Sequence, residues 1–289
     1  MLWPWLALMT AFAAASQDAW IKRHFSHMGL RAMAAYPMAY GFPFYALALV
    51  FIPVPALDRV FLSCYLVSLP LNMIAFLIYL NAIRTSALSL TVPYLAFTPA
   101  FMIATGKIFL GELPNIWGAV GIGITCIGGY VLNIDPKDRR LLTPLRAFAA
   151  EPGARQMLFV AFLFSFAAVI GKKGILHSSP LFFTLSFFSG FSLLLAVGLC
   201  WAGRVPLRRL AEHPVNGAVA GLLFFAHGVL HAYAIAMAKA AYMIAIKRLS
   251  VLFGVLFGGI WFGEARIGIR LAGAALMVSG AVVILLFGS

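Results

Sequence analysis

Residues 109–132 read FLGELPNIWGAVGIGITCIGGYVL, and residues 261–285 read WFGEARIGIRLAGAALMVSGAVVIL. In the first stretch Gly111-Glu112 is followed by Gly121 and Gly128; in the second, Gly263-Glu264 is followed by Gly273 and Gly280. The internal spacings are identical, and the offset of 152 residues from Gly111 to Gly263 holds at every motif position. Each set opens or punctuates an apolar run, so the pattern predicts a tandem duplication. If each copy crosses a bilayer an odd number of times, the second copy lies inverted against the first, with a site expected between them near mid-bilayer.

Composition fixes the solvent. The 289 residues are 63% hydrophobic and 10% charged, with a mean hydropathy of +1.00. That leaves too little polar surface for a soluble globule of this size and predicts an all-α polytopic membrane protein. The net charge of +13 does not indicate nucleic acid, because most Lys and Arg fall in short gaps between apolar runs, where they face headgroups. Cys64, Cys126 and Cys200 lie within apolar segments and read as small core residues rather than a disulfide framework. The apolar N-terminus lacks a basic region before its hydrophobic stretch and an A-x-A-like site after it, so it reads as a retained first span.

A helix needs roughly 20 apolar residues to cross the hydrocarbon core. Ten segments qualify, at 2–20, 32–53, 60–82, 87–110, 115–134, 157–175, 181–201, 215–236, 240–262 and 267–287. The long polar connection from Asp135 to Gln156, with Pro136, Pro144 and Pro152, marks the join between a first half, 1–142, and a second half, 143–289. Lys22-Arg23 at the end of the first segment registers with Lys172-Lys173 at the end of the sixth, and Val54-Pro55 with Val205-Pro206.

At these residues the chain resembles the EamA-type repeat of the drug/metabolite transporter (DMT) superfamily, twice over. The resemblance implies two inverted five-helix repeats and a ten-helix carrier of a small metabolite in the plasma (inner) membrane, often an exporter, working as a monomer or homodimer. It implies no cofactor. The organic-phosphate translocators of that superfamily carry a Lys-Arg pair in their ninth helix that binds the anion. The pair Lys247-Arg248 is similar, although it lies about one turn farther from the following Gly.

Glycines seven apart share a helix face, so Gly121, Gly128, Gly273 and Gly280 are expected to let backbones approach. Glu112 and Glu264 sit in tight turns, each near the N-terminus of the next helix, whose dipole favours a carboxylate. A capping role is expected for both.

An ionisable group at membrane depth costs roughly 2.5 to 3.5 kcal/mol on insertion scales, so it faces a cavity or a partner. Lys247 and Arg248 are seven and eight residues into the ninth segment, about 10 Å from its start. Lys247 shares a stripe with Ser250, Gly254 and Gly258, and no carboxylate in that segment neutralises it. Two outcomes are open: the cations snorkel to the interface, or they line a cavity and meet an anionic substrate. Asp18, the single acid within a span, is either an interfacial helix-end residue or a cavity group that takes a proton or pairs with a base. His227 and His231 lie one turn apart and either bond between helices or face a substrate. Two His without Cys, Asp or Glu nearby fall short of a metal ligand set. Ser68, Asn72 and Tyr79 form a polar stripe on the third segment, with Asn72 its best contact candidate. Pro93 and Pro99 are expected to kink the fourth.

With cations at segment ends counted with the adjoining loop and Lys247-Arg248 left out, loops after odd-numbered segments hold 14 Lys and Arg, and loops after even-numbered ones hold 5. That asymmetry places both termini outside, against the inside termini that the resemblance implies. The functional expectation is a secondary transporter of an anionic or zwitterionic metabolite by alternating access. No P-loop occurs, so a gradient or exchange must drive it. The alternatives are a flippase of a lipid-linked sugar and a membrane-embedded enzyme. One acid and two His supply no catalytic constellation for the latter.

Overall fold

The computed structural model describes residues 2–86, 91–132, 151–201, 207–262 and 267–288. Among them every regular element is helical: α1 Trp3–Phe25, α2 Leu30–Val50, α3 Arg59–Thr85, α4 Thr98–Leu110, α5 Ile116–Val131, α6 Pro152–Leu176, α7 Pro180–Trp201, α8 Pro214–Ala236, α9 Ala240–Lys247, α10 Ser250–Phe262 and α11 Ile267–Phe287. A 3-10 stretch, Val92–Phe97, leads into α4. Seven spans among the described residues are long and apolar enough to cross a membrane, counting Val92–Leu110 and Ala240–Trp261 as one each; Ile116–Val131 and Ala272–Phe287 are shorter apolar helices.

The helices begin and end where local chemistry permits. Asp58 caps α3, its Oδ1 accepting from Phe61 N at 2.7 Å. Asn115 caps α5 by accepting from Gly118 N at 2.7 Å. Gly111 ends α4 at φ 68°, a left-handed conformation that a side chain disfavours, which accounts for the first glycine of the motif. Pro152 opens α6, where a missing N–H costs nothing. The polar connection is therefore shorter than expected, because 152–156 are already helical.

Large apolar side chains such as Leu47, Val50, Ile108, Ile116 and Ile260 point outward, as lipid contact requires, while the interior combines small residues with aromatic ones such as Phe25, Tyr36 and Tyr45. Ala7, Ala11, Ala15 and Ala19 recur every four residues on α1 and are all buried. That stripe lets α1 pack against α8 and α10. α6 packs against α3 and α4, α2 against α7 and α8, and α5 against α11.

The α5–α11 contact runs through the paired glycines. A Cβ on Gly121 would stand 2.7 Å from Gly280 O, and one on Gly128 would stand 2.8 Å from Gly273 O. Both distances are below any real Cβ contact, so four missing side chains bring two antiparallel backbones together. Gly263 and Glu264 lie outside the described residues.

The fourth and ninth segments are both interrupted. In the fourth, Val92–Phe97 is 3-10, with Pro93 near its start and Pro99 near the start of α4, which fits the expected kink. The ninth, expected to be continuous, stops at Lys247 and restarts at Ser250. Leu249 N bonds Ile246 O and Val251 N bonds Arg248 O, both across three residues, so the ladder tightens to 3-10 spacing at that point.

Candidate functional site

The two interruptions meet. Arg248 caps the C-terminus of α9, and its Nη2 donates to Thr98 Oγ1 at the start of α4, 2.8 Å away. Half-helix ends expose carbonyls whose partial negative charge favours a cation, so Lys247 and Arg248 sit where a broken span tolerates them.

Beside the breaks lies a cavity of about 200 Å³. Its lining includes every substrate-pathway candidate read from the sequence: Asp18, Asn72, His227, His231, Lys247 and Arg248. Snorkelling does not describe the cations. Arg248 is 5% exposed, and Lys247 Nζ lies 3.4 Å from His231 Nδ1. Asp18 is not an interfacial helix-end residue either: its Oδ2 accepts from Tyr79 Oη on α3. The helix continues to Phe25, leaving Asp18 about 10 Å short of its end.

The histidines bond between helices as well as lining the cavity. His227 Nδ1 stands 2.9 Å from Gln17 Oε1 on α1. Asn72 donates through Nδ2 to Ser68 O, 2.9 Å away, so its carbonyl oxygen is not used in that bond. The lining is also strongly aromatic, with Phe164, Phe183, Phe187, Phe188 and Phe191 among its residues. Among the described residues neither Lys247 nor Arg248 forms an ion pair with a carboxylate, and no group of three or more His, Cys, Asp or Glu gathers as a metal site. Gln17 and Tyr79 also line the cavity, and Thr98 holds Arg248 from outside it. The sequence offered one signal for Gln17, a polar residue beside Asp18 in an apolar run; Thr98 had none.

Glu112 does cap a helix, though not the next one. Its Oε2 accepts from Ala240 N, the first residue of α9, at 2.8 Å. Its Oε1 pairs with Lys172 at the end of α6. Lys172, read from sequence as a loop charge, is 5% exposed and also donates to Ala238 O at 2.6 Å. In the first half Lys22 Nζ donates to Ser86 O at 2.8 Å, and residues 86 and 238 are again 152 apart. Asn115 N donates to Tyr242 Oη at 2.9 Å, so the turn carrying Glu112 is tied to α9 twice.

An all-helical fold with an apolar outer surface and several membrane-length spans is that of a polytopic integral membrane protein. Residues 1–134 match the family model of the EamA-like transporter family, which bears out the resemblance at the first copy of the Gly-Glu motif. A crystal structure of another protein superposes with a TM-score of 0.63 at 14% identity, covering 99% of this chain and 97% of that one, a likeness of fold. No curated protein matches the chain.

Proposed function

We propose that the chain is a secondary carrier of ten membrane helices that moves a small anionic or zwitterionic metabolite by alternating access. Two inverted repeats, 1–142 and 143–289, form it. Several observations support the repeats. The Gly121–Gly280 and Gly128–Gly273 contacts exchange under the offset of 152, and so do the pairs α1–α8 with α6–α3 and α1–α10 with α6–α4.

The observation that carries the substrate reading is the placement of Lys247 and Arg248 in a cavity at the break of a span, with no carboxylate among the described residues paired to either. A cation desolvated there is costly until an anion joins it. The aromatic lining takes the apolar part of the ligand.

Thermal stabilisation of the purified protein by acetate, succinate, phosphate and glutamate tests this, since a ligand of the folded state raises its stability. At least one should stabilise the wild type. Lys247→Gln should weaken that ligand about tenfold to a hundredfold, the range for a charge-assisted contact of about 1.5 to 3 kcal/mol. Equal affinity in a correctly folded variant would remove Lys247 from the site.

A further inference from the structure

Four charged side chains line the cavity among the described residues: Asp18, Lys172, Lys247 and Arg248. Lys172 is neutralised by Glu112. Asp18 bonds Tyr79, Lys247 rests against His231 and Arg248 bonds Thr98, so the acid and the two cations share the space without being paired off. With Asp18 ionised, this group of three carries one net positive charge. A monovalent anion would balance it. A divalent anion would overshoot by one negative charge, which a low-dielectric cavity penalises heavily.

Protonation of Asp18 removes that excess at little structural cost. Oδ2 already accepts from Tyr79 Oη, leaving Oδ1 to take up a proton from bulk solvent while the Tyr79 bond persists. We infer that a divalent anion and a proton bind this cavity together, the anion at Lys247 and Arg248 and the proton on Asp18. Movement of the anion then carries one proton in the same direction. This rests on the anion-binding reading above and adds the coupling ion to it.

The other titratable groups around Asp18 are Tyr79 on α3, His227 and His231 on α8, Lys247 and Arg248 at the ninth-segment break, and the Lys172–Glu112 pair beside α6. His227 Nδ1 faces an acceptor, Gln17 Oε1, whereas His231 Nδ1 faces a donor, Lys247 Nζ, so their bonded nitrogens are inferred to be in opposite protonation states. Either histidine could add a proton with the same sign of linkage, and the experiment must separate them from Asp18.

Sulfate is the probe, because its charge is constant over the working range, with chloride as the monovalent comparison. The full chain in weakly buffered detergent is titrated with sulfate from about pH 5 to about pH 9. The expected result is uptake of up to about one proton per sulfate bound, with affinity falling up to about tenfold per pH unit above the Asp18 titration. Asp18→Asn should abolish the uptake attributable to Asp18 and flatten the profile, and Asp18→Glu should retain both. An infrared difference spectrum of the wild type needs no variant: sulfate should raise a protonated-carboxyl band. Sulfate binding without proton uptake, or with undiminished uptake in Asp18→Asn, overturns the coupling and leaves the anion site intact. Failure of sulfate to bind at any pH overturns the divalent-anion assignment, and the coupling with it; the anion site itself stands or falls separately, on the panel of four anions and Lys247→Gln.

Discussion

Gly280 and Gly123 are both glycines within apolar helices, yet their surroundings predict opposite responses to the same methyl group. A Cβ on Gly280 would lie 2.6 Å from Gly121 O, whereas nothing stands within 4 Å of one on Gly123. Gly280→Ala should force α5 and α11 apart and destabilise by about 1 to 3 kcal/mol, as overpacking does. Gly123→Ala should be neutral or stabilise by up to about 1 kcal/mol, the helix preference of Ala over Gly. Melting of the two purified variants decides it, and equal losses would refute the packing role. At Asp58, the bond from Phe61 N, followed by that to His177, holds the carboxylate below its ordinary range. A lowered value means stabilisation that is complete above the unfolded value of about 3.9 and lost as pH falls through the lower folded one. Wild type and Asp58→Ala should therefore melt apart at neutral pH and converge in acid; a difference constant with pH would exclude the ionised cap.

At the scale of elements, the turn after α4 ties together helices far apart in the chain. Glu112 holds α6 through Lys172 and α9 through Ala240 N, so a single carboxylate fixes two helix termini of the second half. Breaking a buried pair by removing one partner costs about 3 to 5 kcal/mol. Glu112→Gln should cost less, because Glu112 is 22% exposed, and Glu112→Gln with Lys172→Met should recover part of the loss. Thermal denaturation of the single and double variants measures the coupling, and additive losses would mean that the pair is not coupled. The broken ninth span belongs to the same scale. No proline obliges that break, unlike the fourth span with Pro93 and Pro99. Arg248 is held instead by Thr98, 150 residues away in the chain.

For the whole molecule, the excess of Lys and Arg in loops after odd-numbered segments predicts that the connection between the halves is cytoplasmic. A cysteine at Thr143, in a background lacking Cys64, Cys126 and Cys200, should resist an impermeant maleimide in intact cells. Labelling would reverse the orientation.

Much of this was legible in the chain. Most helix positions and the packing role of glycines seven apart follow from hydropathy and spacing, because lipid imposes length and close packing imposes small residues at fixed periods. The set of candidates Asp18, Asn72, His227, His231, Lys247 and Arg248 was likewise visible, since polar residues at depth are rare and need a partner. Their partners were not visible. Tyr79 beneath Asp18, Thr98 on Arg248 and Glu112 across to Lys172 and Ala240 join residues 60 to 150 positions apart. The tertiary structure alone decides which polar group meets which, because that depends on how helices rotate and cross, and a one-dimensional period records only the face a residue occupies.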